Sequence, residues 1–113
     1  MNRSPALQIF KADFFRALAH PIRIRILETL GNGERSVQEL QQALDLEQPI
    51  VSQQLAVLRS KQIVNPRKVG TTVRYALSDP LITKLLTVAR EIFNNHLVDT
   101  QSMLKELQRE ARR

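Results

Sequence analysis

Between Gln48 and Lys61 the chain sets Gln48, Ser52, Gln53, Gln54 and Arg59 off an apolar stripe of Val51, Leu55 and Leu58. A glutamine amide bonds bidentately to adenine N6 and N7, and serine contacts bases or phosphates. No acidic residue lies between Gln48 and Lys61, so nothing on this segment repels phosphate. An ordinary solvated helix face would carry similar residues, so the neighbouring segment matters. There Arg67, Lys68 and Arg74 gather around Gly70, with Thr71 and Thr72 at or beside the tip. Long cations on a projecting ribbon suit phosphate contact or minor-groove entry. The plainer alternative is an edge hairpin kept soluble by its charge.

Short elements must position these side chains. Leu7, Phe10, Phe14 and Leu18 follow helical spacing, with Phe15 beside them, and predict a first helix over residues 5–19. Pro21 suits the first turn of a second helix running to about Leu30, whose apolar row is Ile22, Ile26 and Leu30, widened by Ile24 and Leu27. Gly31, Asn32 and Gly33 stop it. Ser36 three residues before Glu39 is a capping-box pattern, and Val37, Leu40 and Leu44 stripe the third helix it opens. Asp45, Leu46 and Glu47 form a short turn, after which Pro49 opens a fourth helix to about Lys61.

Residues 63–69 and 71–77 are rich in Val, Ile, Thr and Tyr around Gly70, which predicts a β-hairpin. Asp79 caps and Pro80 starts a last long helix to about Gln108, while the charged residues 106–113 are expected to fray. That helix is apolar on most sides, through Leu81, Ile82, Leu85, Leu86, Val88, Ala89, Ile92, Phe93, Leu97, Met103, Leu104 and Leu107. A core this small cannot cover so much, and a second subunit is the simplest cover. The expected dimer contacts are Leu7, Phe10 and Phe14 on the first helix and Leu85, Val88, Ile92 and Leu104 on the last.

The totals agree with this division. At 113 residues the chain has a single-domain length, and 42% hydrophobic against 4% aromatic residues demands an aliphatic core. A formal net charge of +6 favours a polyanionic partner such as nucleic acid. There is no cysteine, which removes disulfides, thiolate metal sites and thiol redox sensing, and fits a cytoplasmic protein. No apolar run near Met1 signals secretion, and none is long enough to span a bilayer, so no membrane partner is expected. With no Gly-rich phosphate loop and no cluster of catalytic side chains, the sequence points away from an enzyme and from any cofactor.

Two short helices joined by a tight turn and followed by a basic hairpin describe a winged helix-turn-helix. The run from Ala17 to Leu27 resembles the opening signature of the ArsR/SmtB family of bacterial repressors. Ser36-Val-Gln-Glu-Leu40 is similar to the start of that family's third helix, and the run from Gln48 to Arg59 resembles its recognition helix. Ile63 and Val64, then Gly70 to Leu77, resemble its wing. The resemblance implies an α+β, mostly helical fold of five helices and a hairpin wing, dimerising through its terminal helices. One domain would span residues 1–113, with dimerisation helices at 5–19 and 79–108, the helix-turn-helix at 36–61 and the wing at 63–77. It implies a homodimer on double-stranded operator DNA, acting as a repressor on an inverted repeat. Ser52, Gln53 and Gln54 are then expected to read bases, Gln48 a base or phosphate, and Ser36, Arg59, Arg67, Lys68, Thr72 and Arg74 to contact phosphates or serve the wing.

The family's sensing sites are tested by the same residues. One such site needs cysteines in the third helix, and none is there. Another uses Asp-x-His at the start of the last helix with two later ligands. Here Asp79 is present, but Leu81, Ile92 and Asn95 stand at the other three positions. One carboxylate does not make a transition-metal site, so no metal is expected and Asp79 is better explained as a cap. His20 is expected to close the turn between the first two helices. Two alternatives remain open. One is a metal- or ligand-responsive sensor with a non-standard site, in which His96, with Asn94, Asn95 and Asp99, meets its copy across a dimer. The other is a winged helix that binds protein.

Overall fold

The computed structural model describes residues 5–112, which divide into two compact units after Ile82. The elements run α1 (Ala6–Leu18), α2 (Pro21–Leu30), β1 (Arg35–Ser36), α3 (Val37–Leu44), α4 (Gln48–Ser60), β2 (Val64–Val69), β3 (Thr72–Leu77) and α5 (Leu81–Ala111).

Local chemistry sets the boundaries in the first unit. The Nδ1 of His20 accepts from the backbone N–H of Ile22 at 3.1 Å, so the imidazole caps α2, with Pro21 in the first turn. At α3 the capping box is complete: Ser36 Oγ accepts from Glu39 N at 3.1 Å, and Glu39 Oε1 accepts from Ser36 N at 2.9 Å. Asp79 Oδ1 accepts from Leu81 N at 2.8 Å and opens α5. At the hairpin tip Gly70 takes a φ of +62° and Thr71 keeps an ordinary one. A positive φ at the first of two central residues suits the tight turns that follow strand twist.

The end of α4 is less ordinary. Gln62 N–H donates to Arg59 O and Ile63 N–H to Leu58 O, each at 2.9 Å, which is the Schellman arrangement. Gln62 occupies the left-handed position that glycine favours, with a φ of 60°. Leu58 and Ile63, the apolar pair that accompanies this motif, are both buried. Replacing Gln62 by Gly is expected to stabilise the protein by about 0.5–1 kcal/mol, the balance of relieved left-handed strain over added unfolded-chain freedom. A lower thermal midpoint for Gln62→Gly would refute this account of the turn.

The core is aliphatic, as expected. Ile26, Leu27, Leu40, Val51, Leu55, Leu58, Ile63 and Val64 are its fully buried side chains, drawn from α2, α3, α4 and the start of the wing. Two arginines of α2 fasten its neighbours. Arg23 Nε donates to Ala17 O at 2.6 Å, at the end of α1, and Arg25 Nη2 donates to Leu44 O at 2.9 Å, at the end of α3. Both satisfy carbonyls that a helix end leaves without partners.

The sheet contains the expected hairpin and adds one strand to it. It has three antiparallel strands in the order β1-β3-β2, so the hairpin is joined by Arg35 and Ser36, which pair with Tyr75 and Arg74. Two residues show no alternation, so only the tertiary approach of the chain makes them a strand.

The second unit, residues 83–113, carries α5 onward to Ala111. Residues 106–111, expected to fray, are helical, and an Arg109–Glu106 ion pair at 3.3 Å spans one turn there. Arg113 lies outside the described residues. Along α5, Leu85, Val88 and Ile92 form one ridge and Phe93, Leu97 and Leu104 the next, by helical spacing. All but Leu85 are largely exposed within the single chain, and Leu85 is half-buried. No described helix is long and apolar enough to cross a membrane.

Candidate nucleic-acid interface

Helix α4 turns Val51, Leu55 and Leu58 inward, each 1% exposed or less. Helical spacing then places Pro49, Gln53, Ala56 and Ser60 on the opposite edge, and all four are exposed. Gln48, Ser52 and Arg59 lie on one flank of that edge, and Ile50, Gln54 and Val57 on the other.

The three glutamines therefore differ. Gln53 stands on the outermost edge with no side-chain hydrogen bond among the described residues. Gln48 Nε2 donates to Ser52 Oγ at 2.6 Å, which holds both on one flank as a polar pair one turn apart. Gln54 is half-buried, and its Oε1 accepts from Arg23 Nη1 at 3.1 Å. The same guanidinium holds the end of α1, so Gln54 ties α4 to α2 and α1. The helical period alone cannot show this, because it depends on where Arg23 reaches.

The wing cations are also more engaged than their sequence context implies. Arg67 and Arg74 lie directly opposite on β2 and β3. Two like charges at such a pair repel. Glu34, in the loop before β1, neutralises them. Its carboxylate takes a two-point contact from Arg67, Nε at 2.8 Å and Nη2 beside it, and lies 3.9 Å from Arg74 Nε. Arg74 Nη2 also donates to the Glu34 carbonyl at 3.1 Å, and Arg74 Nη1 reaches Glu39 Oε1 at 2.9 Å. The hydrogen bond from Arg67 holds the Glu34 carboxyl below its ordinary pKa, and the backbone hydrogen bond from Ser36 does the same for Glu39. For groups lowered on folding, any stabilisation is present above the ordinary carboxylate range and lost as pH falls through the native values. Both carboxylates are thus ionised throughout the neutral range.

Ser36 is buried, and its hydroxyl is committed to the cap of α3. Lys68, Arg59 and Thr72 are exposed, with no side-chain hydrogen bond or ion pair among the described residues. Glu34 was not among the residues singled out from the sequence. A lone acid after a Gly-Asn-Gly turn carries no local signal of its two arginine partners.

The expected dimer residues Leu7 and Phe10 on α1 are exposed, and Phe14 is half-buried with its ring edge-on to Phe15 at 5.6 Å. His96 is exposed on α5, and no group of three His, Asp or Glu close enough to hold a metal ion occurs among the described residues.

Comparison with known proteins places this arrangement. Residues 20–65 match the profile of the bacterial regulatory proteins of the arsR family. An uncharacterized HTH-type transcriptional regulator of Mycobacterium tuberculosis, Rv0081, is 44% identical over 105 residues, which cover 92% of each chain. Its crystal structure superposes with a TM-score of 0.78, covering 86% of this chain and 98% of that one. A biofilm growth-associated repressor of Agrobacterium fabrum is 40% identical over 82 residues, 73% of this chain and 70% of its own. A homodimeric winged helix-turn-helix DNA-binding domain from Mycobacterium bovis, 29% identical, superposes with a TM-score of 0.76 over 86% of this chain and 90% of its own.

Proposed function

The chain belongs to the arsR family of bacterial regulatory proteins and is a transcriptional regulator of the winged-helix type, and we propose that it represses by binding an inverted-repeat operator as a homodimer in the cytoplasm. The observation that carries this reading is the outer edge of α4, where an unengaged glutamine stands on a helix with no acidic residue between Gln48 and Lys61. Two such helices in a dimer enter successive major grooves about 34–36 Å apart.

Within that reading Gln53 reads a base. The Gln48–Ser52 pair reads or braces beside it, and Arg59, Lys68 and Thr72 contact phosphates. Arg67 and Arg74 serve the wing. Gln54 and Ser36 act from behind: one fixes the angle of α4 through Arg23, the other fixes the start of α3. Leu7, Phe10, Phe14, Leu85, Val88, Ile92 and Leu104 line the dimer contact, supported by their apolar character and by the homodimeric relative from Mycobacterium bovis.

The test compares operator DNA, sought first upstream of the protein's own gene, with a scrambled duplex by fluorescence anisotropy. Gln53→Ala is expected to lower the preference for operator by about 1–3 kcal/mol while leaving affinity for the scrambled duplex nearly unchanged. Gln54→Ala is expected to weaken both complexes, because it loosens the helix without removing a base contact. Equal losses for Gln53→Ala on the two duplexes would refute base reading by that residue. Equal binding of both duplexes by the wild-type protein, with the operator search exhausted, would refute the regulator reading.

A further inference from the structure

We propose that Glu34 makes an autoinhibitory contact with the wing: it occupies Arg67 in the free protein as a stand-in for a DNA phosphate, and so lowers the affinity of the wing for the DNA backbone. The inference rests on the assignment of the wing to phosphate contact given above and extends that contact to Arg67. Three observations carry it. The contact is two-pointed, Nε and Nη2 of Arg67 on the two carboxylate oxygens, which is the geometry an arginine offers to phosphate. Arg67 is 61% exposed at its side chain, so a phosphate reaches the same guanidinium without unfolding the wing. Glu34 is also the shared partner of the opposed pair Arg67 and Arg74, so one acid restrains two of the wing's cations.

The consequence is a competition inside the molecule. An arginine that leaves a carboxylate for a phosphate exchanges one partner for another, and the net gain is small. On random DNA, where α4 finds no matching bases, that gain does not hold the wing down. On operator, contacts of α4 seat the wing against the backbone, and the exchange follows. Lys68, exposed on the same strand without an acid partner, gives the sequence-independent attraction that Glu34 does not cancel. Glu34 thus keeps Arg67 off the phosphates of non-specific DNA, and the operator complex bears the cost of displacing it. It also keeps the cross-strand arginines from repelling each other while no DNA is present.

The experiment uses the full chain and a scrambled duplex, so it needs no operator. Anisotropy titrations between about 50 and 200 mM salt give the slope of log affinity against log salt. Glu34→Gln is expected to bind the scrambled duplex more tightly at low salt, with a slope steeper by up to about 0.9, the value of one additional phosphate neutralised. Introduced into Arg67→Gln, the same change is expected to lose most of that effect. An equal steepening in both backgrounds means a general gain of net charge and overturns the proposal. An unchanged slope in Glu34→Gln overturns it too. In that case Glu34→Gln/Arg67→Gln separates the causes. A slope shallower than that of Glu34→Gln leaves the wing assignment standing, and an identical slope refutes the wing assignment as well.

Because Glu34→Gln can destabilise the wing, the wild-type protein supplies a second measurement. On adding the scrambled duplex at low salt, the carboxyl carbon resonance of Glu34 stays at its paired position. On adding a duplex shown to bind specifically, it moves to that of an unpaired carboxylate, while the Arg67 Nε–H resonance shifts. A Glu34 resonance indifferent to both duplexes overturns the proposal.

Discussion

Replacing Ile92 by Asp is expected to split the dimer and to lower operator affinity by about 10²–10⁴-fold, the advantage lost when two linked half-site contacts become one. Ile92 is 59% exposed within the single chain and ends the ridge of Leu85 and Val88 on α5, midway along the exposed apolar positions of that helix. The exposed apolar set on that helix, including Phe93, Leu97, Met103, Leu104 and Leu107, is far larger than isolated surface residues account for. A carboxylate at its centre must be desolvated whenever a second subunit packs there, which is a cost far above that of removing the methyls alone. Sedimentation equilibrium and anisotropy together check the expectation. The variant should be a folded monomer that binds operator no better than scrambled DNA at moderate salt. A variant that stays dimeric would place the interface elsewhere. One that is monomeric yet keeps full operator affinity would show that a single winged helix suffices.

Much of this framework was legible in the sequence because it is written in short-range chemistry. Pro21 marks a helix start by its fixed φ and missing N–H, and the Ser36–Glu39 pair and Asp79 mark theirs by hydrogen bonds to nearby backbone; all need only neighbouring residues, and the observed helix starts lie at those places. Apolar spacing gave the buried stripe of α4 and the open ridges of α5 for the same reason. What was missed depends on distance along the chain. The strand Arg35–Ser36 exists because β3 arrives beside it some forty residues later. Gln53 and Gln54 look equivalent as residues, yet Arg23 takes one and leaves the other. Arg67 and Arg74 look like free cations in the sequence around Gly70, but Glu34 and Glu39 hold them in the folded protein. The last turns of α5 were expected to fray on charge content alone, although Arg109 and Glu106 stand at a helix-stabilising spacing.

Leu58→Ala is expected to destabilise the protein by about 2–5 kcal/mol, a large share of the roughly 5–15 kcal/mol that holds a domain of this size. Leu58 is fully buried, and its backbone carbonyl closes the turn that leads from α4 into the wing. Truncation removes its packing against an aliphatic core that holds few aromatic rings to fill the void. It also removes one member of the buried apolar pair, Leu58 and Ile63, that flanks that turn. The effect on DNA binding should differ in kind from that of Gln53→Ala. Leu58 faces the core, so its loss is expected to lower the fraction of folded protein and to scale operator and scrambled affinities together. Gln53 faces outward, so its loss changes their ratio and leaves the thermal midpoint nearly unmoved. Chemical denaturation paired with anisotropy at two temperatures separates the two variants. The ratio of affinities for Leu58→Ala should stay constant while both fall on warming. A changed ratio at a temperature where the variant is fully folded would mean that the core side of α4 sets the angle of its reading edge, and that stability and specificity are not independent in this helix.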